Sequence, residues 1–222
     1  MNYHFQWSPV WKAVPDLLPG MLMTLQLTIL SFVLAAIIAF ILTWGKRSKT
    51  FLIRSICSSW IEVARNTPCL FQIYMAYFGL GALGLSVDSY VAVLGAITFN
   101  TAGYLAEVIR GGLDGLDQRQ YRAGAALGFN RLQTFRTIIL PQLIPLIIPG
   151  AGNQLIWSLL NTSLGMVVGL QELTGATYTA QSLTFRSFEF FIVTALAYYV
   201  LAKMLLLLMH GAARFYRLQR SH

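Results

Sequence analysis

Residues 20–44 read GMLMTLQLTILSFVLAAIIAFILTW, a stretch of 25 uncharged and mostly apolar residues. A helix of this length crosses a hydrocarbon core of about 30 Å. The residues that follow, GKRSK at 45–49, carry three positive charges, and positively charged loops stay on the cytoplasmic side of a membrane. The stretch therefore predicts a membrane span that begins outside and ends at the cytoplasmic surface.

Long apolar stretches recur along the rest of the chain. Of the 222 residues, 56% are hydrophobic and only 11% are charged, whereas soluble domains contain about 25% charged residues. We therefore predict an all-α, polytopic membrane bundle in one domain, 1–222, with its N-terminus outside and its C-terminus in the cytoplasm. The five predicted spans are 20–44, 68–85, 90–106, 143–168 and 190–209.

The distribution of charge agrees with this topology. Of the 16 lysines and arginines, 13 fall in segments predicted to be cytoplasmic. The positive-inside rule therefore explains the net charge of +8 better than nucleic-acid binding does. The polar segment 171–187 is predicted to lie outside. Because about five helices make a thin bundle, we expect two subunits to form any transmembrane path.

A basic, amphipathic insert, residues 110–141, separates the third and fourth predicted spans. Asn130 and Gln133 have the spacing of a helix capping box, and Gly128 suits the left-handed residue that ends a helix. Two short helices joined by a turn are therefore predicted. Such an insert can dock a cytoplasmic partner, or it can lie on the membrane surface.

The spacing within the insert resembles the EAA loop of ABC-transporter permease subunits. Arg122-Ala123-Gly124, Gly128 and the IILP stretch at 138–141 occupy the positions of that pattern, although Arg122 stands where the family has an acidic residue. The resemblance implies a docking surface for a separate ATPase subunit. The docking residues it implies are Tyr121, Arg122, Ala123, Gly124, Gly128, Phe129, Asn130 and Arg131.

Further motifs are similar to those of the permeases of polar amino acid uptake. They are TLQLT at 24–28, RNTP at 65–68 with Gln72 and YFG at 77–79, YLAEVIRGG at 104–112, and TSL at 162–164 with EL at 172–173. The resemblance implies a multi-pass subunit of an amino acid importer in a bacterial inner membrane. It also implies two ATPase subunits, an identical or homologous second permease and an extracytoplasmic amino-acid-binding protein. The amino acid carried and the identity of the second permease stay open.

The sequence contains no pattern typical of covalent chemistry or nucleotide binding. No G-x-x-x-x-G-K-[ST] stretch occurs. The three histidines are scattered, and Cys57 and Cys69 lack the spacing of metal ligands. We therefore expect no catalytic residue, no metal site and no cofactor in this chain, with ATP and magnesium bound by the partner ATPase.

Polar residues at predicted membrane depth are candidates for a solute path. Each could instead join two helices through a hydrogen bond worth about 1 kcal/mol. The adjacent residues Asn161, Thr162 and Ser163 cannot all face one neighbouring helix, and a permeating amino acid needs donors and acceptors to replace its water. The predicted path residues are Asn161, Thr162, Ser163, Gln154 and Asn100.

Two other classes of protein stay as alternatives. An autonomous ion-coupled carrier or channel needs acidic residues within the membrane, and the first, third and fourth predicted spans contain none. A membrane scaffold needs neither the polar cluster nor the prolines of the fourth span. Lys203 is the one charged residue inside a predicted span, where it either extends toward the cytoplasmic surface or lines the path.

Overall fold

The computed structural model describes residues 3–117 and 119–218, and these residues form helices and connecting turns without any β-strand. Helix α1 (Ser8–Lys46) contains 39 residues and is about 58 Å long at 1.5 Å per residue. It begins well before the predicted span 20–44. Pro9 lies in the first turn, where its missing N–H costs nothing, and Val10 and Leu17 are buried against Phe190 and its neighbours.

Helix α2 (Phe51–Asn66) was not among the predicted spans. It is amphipathic, and its buried residues Cys57, Ile61 and Ala64 pack on α1 and on the central helix α5. The second predicted span corresponds to a shorter apolar helix, Cys69–Ala82. This helix comprises α3 (Cys69–Tyr74), a π-helical turn (Met75–Gly79) and α4 (Leu80–Ala82).

Helix α5 (Ser89–Asp114) lies at the centre of the bundle and contacts α1, α2, α3 and α8. Asp88 caps its first turn by accepting a hydrogen bond of 2.8 Å from the Tyr90 N–H. A Cβ atom on Gly103 would lie only 2.6 Å from the Cβ of Ala64. Glycine at this position therefore permits the close approach of α2 and α5.

The insert forms two short helices, α6 (Arg119–Ala126) and α7 (Arg131–Thr134). Helix α7 continues without a break through a π-helical turn (Phe135–Ile139) into α8 (Leu140–Asn161) and a 3-10 helix (Thr162–Val168). Pro145 and Pro149 lie inside α8. Gly169 ends this helical run in the left-handed conformation with φ of 78°.

Helices α9 (Leu173–Thr184) and α10 (Ser187–Leu218) complete the fold. In the described part of the chain, four helical stretches are long and apolar enough to cross a membrane: Ser8–Lys46, Ser89–Asp114, Arg131–Val168 and Ser187–Gly211. Together with the shorter Cys69–Ala82 helix, they confirm the prediction of an all-α membrane bundle. The side of the membrane on which each terminus lies stays a prediction.

Candidate docking surface and solute path

The turn between α6 and α7 has the local geometry that its residue types predict. The Gln133 N–H donates to Asn130 Oδ1 at 2.9 Å, and the Asn130 N–H donates to Gln133 Oε1 at 2.8 Å. These two bonds complete the predicted capping box. Gly128 adopts a φ of +79°, which favours glycine because a side chain there crowds the backbone.

Close packing holds α6 against α7. A Cβ atom on Gly124 would lie 2.5 Å from the Thr134 side chain, so only glycine allows the two helices to approach this closely. Of the predicted docking residues, Gly124 is buried and Phe129 is half-buried. The other six are exposed, namely Tyr121, Arg122, Ala123, Gly128, Asn130 and Arg131.

A cavity of about 760 Å³ lies where the insert meets the ends of α1 and α5. The insert contributes Tyr121, Arg122, Phe129 and Arg131 to its lining. On the opposite side the Trp44 ring packs edge-on against Phe135, with 5.4 Å between ring centroids. The insert is thus attached to the membrane bundle by packing, while its arginines face open space.

A network of ion pairs joins α1, α2 and α5 beside this cavity. The Glu107 carboxylate accepts from Lys46 Nζ at 2.8 Å and from Arg110 Nη2 at 2.7 Å, and Arg65 Nη1 lies 3.7 Å away. Asp114 pairs with Arg47 and, at 2.7 Å, with Arg110. The pairs that Arg110 makes with Glu107 and Asp114 are local, three and four residues apart on α5, whereas Lys46, Arg47 and Arg65 lie elsewhere in the chain and could not be recognised as partners in the sequence.

A second cavity, of about 490 Å³, contains three of the predicted path residues, Asn100, Gln154 and Asn161. Gln154, Trp157 and Asn161 lie one or two turns apart on α8 and therefore share one of its faces. The remaining residues that line this cavity are Arg65, Asn66, Thr67, Pro68, Cys69 and Tyr104. Arg65, Asn66 and Thr67 were not predicted as path residues, because they lie just before the predicted span 68–85 and not at predicted membrane depth.

Asn100 lines the cavity and also forms a hydrogen bond that joins α5 to α2. Its Nδ2 donates to the Ala64 carbonyl at 2.8 Å, which satisfies a carbonyl near the end of α2. Thr162 and Ser163 are placed differently from Asn161. Thr162 is fully buried and donates to the Leu159 carbonyl at 2.7 Å, and Ser163 donates to the Leu160 carbonyl at 2.7 Å. Neither residue lines the cavity.

Glu172 forms a buried polar centre that sequence reasoning missed. The residue is fully buried, and its carboxylate accepts hydrogen bonds from the Gly175 N–H at 2.9 Å, Tyr198 Oη at 2.7 Å and Thr24 Oγ1 at 3.2 Å. Burial raises the pKa of this carboxyl, and the donors oppose that effect. The predicted polar segment 171–187 therefore begins inside the protein. The TLQLT and EL motifs named both Glu172 and Thr24, but nothing in the sequence showed that they touch.

Comparison with solved structures assigns this arrangement of helices to a class. The chain superposes on a structure titled as an amino acid ABC transporter with histidines, with a TM-score of 0.87, 32% identity and coverage of 96% of this chain and 99% of that chain. The MetNI methionine ABC transporter shares the fold, with a TM-score of 0.75 at 19% identity over 91% of this chain and 97% of that chain. The fold is that of an ABC-transporter membrane subunit.

Residues 44–218 match the family described as the inner membrane component of binding-protein-dependent transport systems. The glutamine transport permease GlnP of Escherichia coli K12 is 31% identical over 203 residues, which cover 90% of this chain and 93% of that protein. The octopine permease OccM of Rhizobium meliloti is 36% identical over 69% of this chain and 66% of its own length. The chain therefore belongs to this family of transport subunits, as its motifs predicted.

Proposed function

We propose that this chain is the permease subunit of an ATP-driven amino acid importer in a bacterial inner membrane. The observation that carries the proposal is the polar cavity of about 490 Å³ between membrane helices, lined by Asn100, Gln154 and Asn161. Relatives named as glutamine and octopine permeases support an amino acid or a derivative as the solute. The chain provides half of the path, and an identical or homologous permease provides the other half.

The chemistry of the cavity suits a zwitterion. Arg65 offers a guanidinium for a solute carboxylate. Its nearest acid, Glu107, already has Lys46 and Arg110 as partners, so that carboxylate leaves Arg65 only partly compensated. The amides of Gln154 and Asn161 supply donors and acceptors that replace water around a polar solute.

The energy for transport comes from a separate polypeptide in this proposal. Two ATPase subunits, which bind ATP and magnesium, dock on the insert formed by α6 and α7, and an extracytoplasmic amino-acid-binding protein delivers the solute. Nucleotide binding then moves the insert and alternates access to the path. The docking residues are those that surround the turn at Gly128, as the EAA-like spacing implies.

An autonomous ion-coupled carrier or channel is the alternative. Helix α5 extends beyond the predicted span 90–106 and therefore includes Glu107, an acidic residue that such a protein could use. Glu107 is surrounded by Lys46, Arg65 and Arg110. A carboxylate held by three cations is poorly suited to bind and release a proton or sodium ion, so this geometry disfavours the alternative.

Reconstitution separates the two functions. The permease is purified from membranes, the copurifying ATP-binding subunit is quantified, and both are reconstituted into proteoliposomes with the amino-acid-binding protein. We expect one ATPase subunit for each permease subunit. Uptake should require ATP inside the proteoliposomes, for those complexes whose ATPase subunits face the interior. Uptake by the permease alone, driven by a proton or sodium gradient, would reject the proposal.

The path is tested by a matched pair of substitutions on α8. Asn161→Leu removes a donor and an acceptor from the cavity, whereas Asn153→Leu makes the same change at an exposed position outside it. We expect Asn161→Leu to lower uptake at least about tenfold, the effect of roughly 1.4 kcal/mol, with ATPase association unchanged. Equal uptake by the two variants would remove Asn161 from the path.

Topology is tested by cysteine labelling. In a background without Cys57 and Cys69, single cysteines replace the exposed residues Ser182 and Gln133. The positive-inside rule places residue 182 outside and residue 133 in the cytoplasm. An impermeant thiol reagent added to intact cells should therefore label only position 182. Labelling of both positions from one side would reject the proposed orientation.

A further inference from the structure

We infer that the cavity between the insert and the membrane bundle receives an acidic surface of the ATPase subunit, with Arg122 and Arg131 as the groups that bind its carboxylates. The inference rests on the proposed function, since it specifies the partner of the same docking surface. The EAA loop that this insert resembles has an acidic residue at the position of Arg122, so the charge that this chain offers its partner there is the opposite one.

The two helices of the insert carry charge of one sign, and the acidic residues Asp114 and Asp117 lie before them in the chain. Helices α6 and α7 and the π-helical turn that follows contain Arg119, Arg122, Arg131 and Arg136 and no acidic residue. All four arginines are exposed. Only Arg122 and Arg131 line the cavity of about 760 Å³, so these two define where an inserted carboxylate would meet positive charge.

The charge in the cavity is not compensated from within the chain. Asp114 is the one acidic residue in the cavity lining, and it is already paired with Arg47 and Arg110. Within the described residues, neither Arg122 nor Arg131 makes an ion pair. A partner that covered the cavity without supplying carboxylates would leave two guanidinium groups desolvated and unpaired, which is strongly unfavourable.

Apolar groups around the arginines complete a surface suited to a protein. Leu127 and Leu132 are 69% and 57% exposed, and Tyr121 is 38% exposed. Tyrosine and arginine are the residue types that dominate protein interfaces, and an apolar surround excludes water from the ion pairs. Exposed leucines beside arginines and a tyrosine therefore favour a protein as the occupant.

The experiment measures the affinity of the permease for its ATPase. The ATP-binding subunit that copurifies with wild-type permease is identified by mass spectrometry, expressed alone and titrated onto permease in nanodiscs, in 50 to 500 mM NaCl. The variants are Arg122→Glu and Arg131→Glu. Arg119→Glu and Arg136→Glu are matched controls, because they make the same change in charge on the same helices outside the cavity.

We expect Arg122→Glu and Arg131→Glu each to weaken binding at least about 100-fold, since like charges at an interface cost several kcal/mol, and the controls to weaken it less than about tenfold. Wild-type affinity should fall as salt rises. Unchanged or tighter binding of Arg122→Glu would overturn the inference while leaving the proposed function intact. Failure of wild-type permease to bind any ATPase would instead reject the proposed function.

A second measurement identifies the partner groups directly. Arg122→Lys preserves the charge and provides an amine, which a carbodiimide couples to a neighbouring carboxylate without a spacer. A cross-link from position 122 to an aspartate or glutamate of the ATPase is expected, and Arg136→Lys should give none. Absence of that cross-link in an assembled complex, or cross-linking of both variants alike, would contradict an acidic surface in this cavity.

Discussion

The insert helices α6 and α7 and the helix α9 are short, polar segments between membrane helices, but the two segments are stabilised in opposite ways. The capping bonds of the insert join residues three apart, Asn130 and Gln133, and both are exposed. The bonds at the start of α9 join Glu172 to Thr24 and Tyr198, 148 and 26 residues away, and Glu172 is fully buried. The insert is therefore stabilised locally, whereas α9 is stabilised by the whole bundle.

This difference matters for the proposed importer. The ATPase subunit has to displace the docking helices without unfolding the membrane helices, and local capping allows the docking helices to move independently. Helix α9 instead packs against α1 and α10, and it has to keep one position relative to them. Variants at the start of α9 should therefore destabilise the whole fold, whereas variants in the insert should affect only the turn between its two helices.

Removal of the Glu172 side chain should have the largest effect. Glu172→Ala leaves the Thr24 hydroxyl and the Gly175 N–H without their acceptor, whereas the Tyr198 hydroxyl keeps Thr174 Oγ1 as a partner at 2.9 Å. Each buried unpaired donor costs about 1–3 kcal/mol, so we expect a loss of at least about 2 kcal/mol in the free energy of unfolding. Thermal or denaturant unfolding of the purified protein in detergent measures this loss.

The control for this change is Glu62→Ala, which removes the same group at an exposed position on α2. Such surface changes stay within about 0.5 kcal/mol of wild type. If Glu172→Ala unfolds at the same denaturant concentration as Glu62→Ala, the buried centre does not stabilise the bundle and the contrast with the insert fails.

Substitution of Gly128 should have an intermediate and local effect. Nothing lies within 4 Å of a Cβ at this position, so the cost of Gly128→Val comes from the left-handed backbone and amounts to about 1–3 kcal/mol. We expect normal unfolding of the bundle but faster tryptic cleavage at the arginines of the insert in inside-out vesicles, with weaker ATPase binding and reduced uptake.

Asparagine separates backbone strain from side-chain bulk at the same position. Asparagine tolerates the left-handed conformation, so Gly128→Asn should be cleaved at nearly the wild-type rate. If Gly128→Asn and Gly128→Val are cleaved equally fast, the φ of +79° does not determine which residue types this turn accepts. Normal ATP-driven uptake by Gly128→Val would count against docking through the insert.

Loss of the capping box should have the smallest effect. Asn130→Ala removes one of the two reciprocal bonds and weakens the other, at a cost of about 1 kcal/mol. Tryptic cleavage of the insert should rise about fivefold while bundle stability stays unchanged. Because the two residues act together, adding Gln133→Ala should change the rate little further. Fully additive effects would show that they do not form one unit.

The same contrast explains which features the sequence could predict. Asn130, Gln133 and Gly128 are recognisable because their partners or conformations lie within one helical turn. The central apolar stretches predicted membrane helices, but the start of α1 at Ser8 was missed. Pro9, Pro15 and Asp16 are residue types typical of loops, and the packing of Val10 and Leu17 against Leu173 and Phe190 cannot be read from the sequence. Helix α2 was missed because it is amphipathic and contains Arg54, Glu62 and Arg65, so that no long apolar stretch marks it in the sequence.

The candidate path was predictable in part for a similar reason. Asn161, Gln154 and Asn100 could be selected as polar residues at membrane depth, and the cavity brings them together. Thr162 and Ser163 satisfy their hydroxyls on carbonyls of the preceding turn, a choice that hydroxyl side chains have and longer amides lack. The contribution of Arg65 depends on how the turn after α2 folds back, which no local pattern specifies.

In mechanical terms, α1 is a lever arm. One end is held at Val10 against Phe190, and the other end contacts the insert through Trp44 and Phe135. Because the helix is about 58 Å long, a tilt of about 5° displaces one end relative to the other by about 5 Å. A displacement of the Trp44 end smaller than one helical turn therefore needs a tilt of only a few degrees about the end held at Val10.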